Sequence, residues 1–138
     1  MSETLVALAD LTVRYSGAAE PALGGITLQV GESERLAIVG ESGSGKSTLA
    51  LTLAGLLPRG STVTGRIDWP GLGRSPVPGR DLGMVFQDPS NSLNPVLRVG
   101  EQIAEVAQRH LGLDWRAAYA RAEELIAQVR LPDPERLL

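Results

Sequence analysis

Gly40-Glu41-Ser42-Gly43-Ser44-Gly45-Lys46-Ser47-Thr48 fits the pattern GxxxxGK[ST] of a phosphate-binding loop. Glycines let the backbone take turns closed to other residues, so successive N–H groups can face the oxygens of a phosphate chain. A helix starting near Lys46 would aim its positive end at the same place. Lys46 is then a point charge between the β- and γ-phosphates, Ser47 a hydroxyl ligand for Mg²⁺, and Thr48 a helper at the phosphates. Lys46 is also the sole lysine among 13 Lys+Arg residues. A compact ammonium can enter a ring of phosphate oxygens where a planar guanidinium fits less well.

The flanks supply the context the loop needs. Leu36-Ala37-Ile38-Val39, after Arg35, is a continuous apolar run that predicts a strand buried on both faces. Leu49, Leu51, Leu53, Ala54, Leu56 and Leu57 predict a helix apolar nearly all round, ended by Pro58 and Gly60. Strand, loop and helix therefore follow in the required order. Dinucleotide fingerprints fail: GxGxxG from Gly43 would need glycine at Thr48, and from Gly71 it would need glycine at Pro76.

Further out, Leu5 to Tyr15 predicts one or two short strands, and Ser16 to Gly25 a loop. Ile26, Leu28 and Val30 alternate with polar residues, as in a half-buried strand. Val63 to Trp69 is another strand candidate, Gly71 to Gly79 a Gly/Pro-rich loop, and Leu82 to Phe86 a strand running into Gln87-Asp88-Pro89. From Val99 the period becomes helical, with Val99, Ile103, Val106, Ala107 and His110 on one face. Asp114 can cap a second helix, in which Trp115, Ala118, Tyr119, Ala122, Leu125, Ile126 and Val129 recur at three and four.

Bulk properties narrow the classes. The chain has 138 residues, enough for one domain with a real core, and a formal net charge of −3, which offers nucleic acid no broad basic surface. It has no cysteine, so it has neither disulfides nor thiolate metal sites, which fits a reducing compartment. MSETLVALAD carries no basic region before its apolar stretch, unlike a signal peptide. No apolar run approaches the roughly 20 residues that span a bilayer, so membrane association is expected through a partner and not by direct insertion.

A second segment is more specific. Phe86-Gln87-Asp88-Pro89, Ser92-Leu93-Asn94-Pro95 and Val99-Gly100-Glu101-Gln102-Ile103 lie within MVFQDPSNSLNPVLRVGEQIAE, Met84 to Glu105. This run resembles the Q-loop region of ABC transporter ATPases, most of all the subunits that serve dipeptide, oligopeptide and nickel importers. The spelling GESGSGKS is common in the same group, and the resemblance covers nearly the whole chain. It implies an α/β fold: a P-loop NTPase core with an antiparallel β-subdomain through residue 87, then the start of an α-helical subdomain over 88–138.

The resemblance also implies roles. Tyr15 corresponds to the aromatic that stacks on adenine. Gln87 corresponds to the Q-loop glutamine, which reaches Mg²⁺ and the attacking water. Asp88 to Val99 corresponds to the segment where the membrane-spanning permease docks. A second ABC ATPase subunit would complete the ATP site. The implied protein is cytoplasmic, held on the inner face of the membrane by its permease, and couples ATP hydrolysis to import of peptides or nickel.

Other family parts have no match in this chain. There is no LSGGQ-like signature, no apolar strand after the loop ending in Asp-Glu, and no switch histidine, for His110 sits in a helical pattern. Asp10 follows an apolar run but precedes the loop and is followed by Leu11, so it reads as a strand end. The chain therefore reads as an incomplete ABC ATPase domain, a fragment or a truncated product, that binds ATP without hydrolysing it alone. Two alternatives stand: a non-catalytic nucleotide-binding module paired with an intact partner, and a soluble P-loop kinase or GTPase. The second would need a substrate-binding segment in place of Val85 to Pro95.

Overall fold

The computed structural model describes residues 3–87 and 92–129, which divide into two compact units with the break after Gly83. The first unit contains β1 (Thr4–Arg14), β2 (Leu23–Gly31), α1 (Lys46–Ala54) and β3 (Thr62–Asp68). The strands form one sheet in the order β2-β1-β3, antiparallel on both sides of β1. This is the antiparallel β-subdomain expected from the sequence.

β1 is one strand with a bulge at its middle, which is why its alternation looked like one strand or two. Val6 and Leu8 are buried, then Leu11 and Val13, so the parity of the buried residues slips by one between Leu8 and Leu11. The register slips there too: Leu8 faces Leu28 but Leu11 faces Ile26, and Ala9 faces Arg66 but Thr12 faces Thr64. Asp10 takes the extra step at φ 51°, and its N–H donates to the Thr27 hydroxyl at 3.1 Å. On the other side, the bulge presses its carbonyl against Gly65, where a Cβ would lie 2.3 Å from the Asp10 oxygen. Gly65 also has φ +88°, so glycine is required there on two counts. With parity restored, Val6, Leu8, Leu11 and Val13 share one core with Leu23 and with Leu49 of α1.

Two predicted strands are absent. Arg35 to Val39 forms no strand, and Val39 is 89% exposed. Leu82 to Phe86 makes only an isolated bridge, Pro78 to Leu82, and Val85 is 96% exposed. A strand needs a neighbour to bond with, and no described strand pairs with either run. α1 is also shorter than expected: Gly55 caps it in the left-handed region before Leu56 and Leu57 can join.

The loop before residue 83 is held by one carboxylate. Asp81 accepts a fork from Arg74 at 2.7 and 2.9 Å, a bond from the Val77 N–H at 2.7 Å, and a weaker contact from Arg80 at 3.2 Å. The Arg74 hydrogen bonds hold its carboxyl well below the usual carboxylate range, helped by Arg80 and the Val77 amide. A depressed value means this contribution is present above the ordinary carboxylate pKa, near 4, and is lost as the pH falls through the depressed one. NMR titration of the carboxyl carbons should place Asp81 below that ordinary value, and Arg74→Gln should move it back up. An unmoved midpoint in Arg74→Gln would mean the fork is not the cause.

The second unit is a helical pair, α2 (Val99–Leu111) and α3 (Trp115–Gln128). Asp114 caps α3 as expected, its side chain accepting from the Ala117 N–H at 2.8 Å. The contact is made of small residues: Ala104 and Ala107 of α2 against Ala118 and Ala122 of α3. This shifts the expected face of α2. Gly100, Ala104 and Ala107 are buried, while Val106 is left half exposed. Small side chains let two backbones approach closely, and that selects the alanine stripe over the bulkier valine.

Candidate functional site

The loop Gly40–Gly45 opens directly into α1. Its last residue, Gly45, is the helix N-cap at φ 90° and ψ 3°, with no side-chain capping bond and no acid in the first turn. The first intrahelical bond of the loop–helix junction runs from the Leu49 N–H to the Gly45 carbonyl at 2.9 Å. The N–H groups of the preceding turn, Lys46 to Thr48, have no i−4 helical acceptor. This is a helix start whose positive end nothing on its own side chains offsets, and it fits an anion.

Gly45 is fixed by more than its dihedral. A Cβ there would lie 2.5 Å from the Ala22 carbonyl oxygen and 2.6 Å from Leu23 Cδ2. The loop therefore turns hard against the start of β2. Lys46 spans the loop: its ammonium donates to the carbonyls of Gly40 at 2.8 Å and Glu41 at 2.6 Å, with Ser44 Oγ at 3.3 Å. All its donors are directed at neutral acceptors. A phosphate oxygen is a charged acceptor and bonds roughly twice as strongly, so trading one of these bonds for a phosphate is favourable. The Ser47 side chain is exposed beside it, open to a metal ion. Mg²⁺ commonly takes one or two protein oxygens and fills its shell with phosphates and water, so one hydroxyl fits.

The structure brings one distant residue to this loop. The Tyr15 hydroxyl, just past β1, lies 3.0 Å from Thr48 Oγ1, in the first turn of α1. Thr48 is 7% exposed and Tyr15 half-buried. Gln87 belongs to the second unit, where it is exposed. Asp88 and the next three residues lie outside the described residues, so the expected docking segment is described only from Ser92. Asp10 is a mid-strand bulge and not a strand end. His110 lies near the end of α2, in the helical pattern read from the sequence.

Gln102 has a role that the sequence did not disclose. Its amide grips the turn before α2 at several points: Oε1 accepts from the Asn94 N–H at 2.8 Å, and Nε2 donates to the carbonyls of Asn94 at 3.0 Å and Leu97 at 3.1 Å. Asn94 Oδ1 accepts in turn from the Val96 N–H at 3.0 Å. The clamp holds a turn whose Val96 is 87% exposed and whose Leu93 is half exposed. The only signal was an amide in the first turn of a helix that follows an Asn-Pro step. Gln102→Ala should speed exchange of the Asn94 amide about fivefold, from the loss of a bond worth about 1 kcal/mol. Unchanged exchange would show that the turn holds itself.

These features define a class: the P-loop nucleotide-binding fold, here beside an antiparallel sheet. Residues 23–138 match the family model described as ABC transporter, and the chain belongs to that family. It is 39% identical to a probable peptide ABC transporter ATP-binding protein of Sinorhizobium fredii, over 99% of this chain and 44% of the relative. It is 38% identical to an oligopeptide transport ATP-binding protein of Bacillus subtilis, over 96% of this chain and 40% of the relative. It is 35% identical to a glutathione import ATP-binding protein of Salmonella typhimurium, over 94% of this chain and 23% of the relative. The chain thus spans less than half the length of these relatives.

Proposed function

We propose that this chain is the Mg-ATP-binding portion of the ATPase component of a peptide importer. The observation that carries the reading is the uncapped start of α1, closed by Gly45 and crossed by the Lys46 ammonium. The backbone amides and Lys46 take the phosphates, Ser47 ligates Mg²⁺, and the ring of Tyr15 supports the base. Mg²⁺, when bound, neutralises charge on the β- and γ-phosphates. Gln87 completes the γ-phosphate side in the assembled protein. The relatives' names speak of peptides, oligopeptides and glutathione, itself a tripeptide, and so favour peptides over nickel as the solute.

The permease docks on the segment Asp88–Val99, and the clamped turn with exposed Leu93 and Val96 supports this. No helix among the described residues is long and apolar enough to cross a membrane, consistent with a peripheral position on the inner face. A second ATPase subunit closes over the nucleotide. Hydrolysis requires, beyond the cradle, a carboxylate for the metal and a group orienting water. Of these the chain offers only Gln87; it carries no Asp-Glu strand end after the loop in the family's pattern, so it binds without turning over.

Isothermal titration of the chain with Mg-ATP tests the reading. One-site binding that competes with inorganic triphosphate is expected. No heat of binding with a folded chain would overturn it.

A further inference from the structure

We propose that the Tyr15 hydroxyl, and not only its ring, serves the nucleotide site, as the positioning residue for the Thr48 hydroxyl. The proposal rests on the ATP reading above. It starts from the 3.0 Å bond between Tyr15 Oη and Thr48 Oγ1, across 33 residues of sequence. Among the described residues, Tyr15 is the one hydrogen-bond partner of that threonine oxygen.

Direction follows from acidity. A phenol hydroxyl is a stronger hydrogen-bond donor than an aliphatic alcohol. Tyr15 therefore donates and Thr48 Oγ1 accepts. A hydroxyl has one hydrogen to give and two lone pairs to receive, so the hydrogen of Thr48 stays available. Thr48 lies in the first turn of α1, two residues beyond Lys46, where a phosphate oxygen is the acceptor that the site brings. Accepting from Tyr15 strengthens Thr48 as a donor, because linked hydrogen bonds polarise one another. Burial of Thr48 keeps water from competing for this arrangement.

The surroundings hold the threonine still. The carbonyl of Thr48 accepts from the Thr52 hydroxyl at 2.6 Å, and Leu49, next to it, is part of the sheet core. Tyr15 follows β1 directly, so its ring is placed by the same core. The hydroxyl bond thus ties the end of β1 to the turn of helix that receives the phosphates. A ring that only stacked on a base would need no such bond.

The two roles separate by ligand. Stacking acts on ATP and not on inorganic triphosphate, whereas positioning of Thr48 acts on both. Tyr15→Phe keeps the ring and removes the hydroxyl. It should weaken ATP and triphosphate alike, by about fivefold for one lost bond. Thr48→Val should weaken triphosphate at least as much, and the double variant should show no further loss from Tyr15→Phe. Thr48→Ser, which keeps a hydroxyl, should recover most of the affinity that Thr48→Val loses. Tyr15→Ala should weaken ATP beyond triphosphate, because it removes the ring as well.

Titration calorimetry with each ligand reads these values, and thermal unfolding without ligand tells whether each variant is folded. Triphosphate affinity unchanged in a folded Tyr15→Phe would overturn the positioning role and leave the ATP reading standing. Additive losses in the double variant would do the same. A folded wild-type chain that binds neither ligand would overturn the ATP reading, and this inference with it.

Discussion

Lys46→Ala should lower the affinity for Mg-ATP by on the order of 100-fold, from the loss of charge-assisted bonds worth about 1.5–3 kcal/mol each. The ammonium is the one cation built into the loop, and it stands over the carbonyls of Gly40 and Glu41. Removing it strips both a counter-charge from the phosphates and a bridge from the loop itself. Lys46→Arg should not rescue binding, because a planar fork cannot take the place of a compact ammonium between two carbonyls. Calorimetry on folded variants decides this. Equal affinities in wild type and Lys46→Ala would move the nucleotide site elsewhere.

Gly45→Ala should destabilise the first unit by about 3 kcal/mol. Of this, roughly 1–2 kcal/mol is the cost of the left-handed backbone for a residue with a Cβ. The remainder is overpacking, typically about 1–3 kcal/mol. The obstacle is main chain: the Ala22 carbonyl would stand 2.5 Å from the new methyl, and the neighbouring Ala22 N–H is bonded to Val13 at 2.8 Å. Relief would therefore pull β2 away from β1. Gly43→Ala is the control, with φ +82° and nothing within 4 Å of an added Cβ. It should show the backbone cost alone. Urea unfolding compares them, and equal losses would mean that the crowding at Ala22 relaxes freely.

What was legible in the sequence was local chemistry. The loop from Gly40 to Thr48 announces itself through residue types that few other structures need, and Asp114 announces a helix start through one side chain. What stayed hidden depended on neighbours. Leu36 to Val39 has the composition of a buried strand, but composition states a demand for burial and cannot name what supplies it. The same holds for Leu82 to Phe86. On α2 the apolar pattern pointed at Val106, while the true contact face was chosen by the alanines of a helix that begins several residues later. Tyr15 was legible as an aromatic near the loop only through resemblance. Its bond to Thr48 joins residues 33 apart, a separation that no local pattern reports.

The bulge at Asp10 has a consequence for how this sequence can change in length. Val13 and Tyr15 sit two positions apart, and Val13 faces the core that holds Leu49 of α1. The extra residue at Asp10 is what sets the face on which both of them fall. Deleting it would turn Leu11 and Val13 outward and send Tyr15 to the far side of the sheet from Thr48. β1 thus behaves as a ruler whose mark at Asp10, thirty positions before Gly40, decides whether the tyrosine arrives there. Substitutions along the strand's exposed face leave that placement intact. A one-residue deletion between Leu8 and Leu11 does not, although it would remove no atom of the phosphate loop itself.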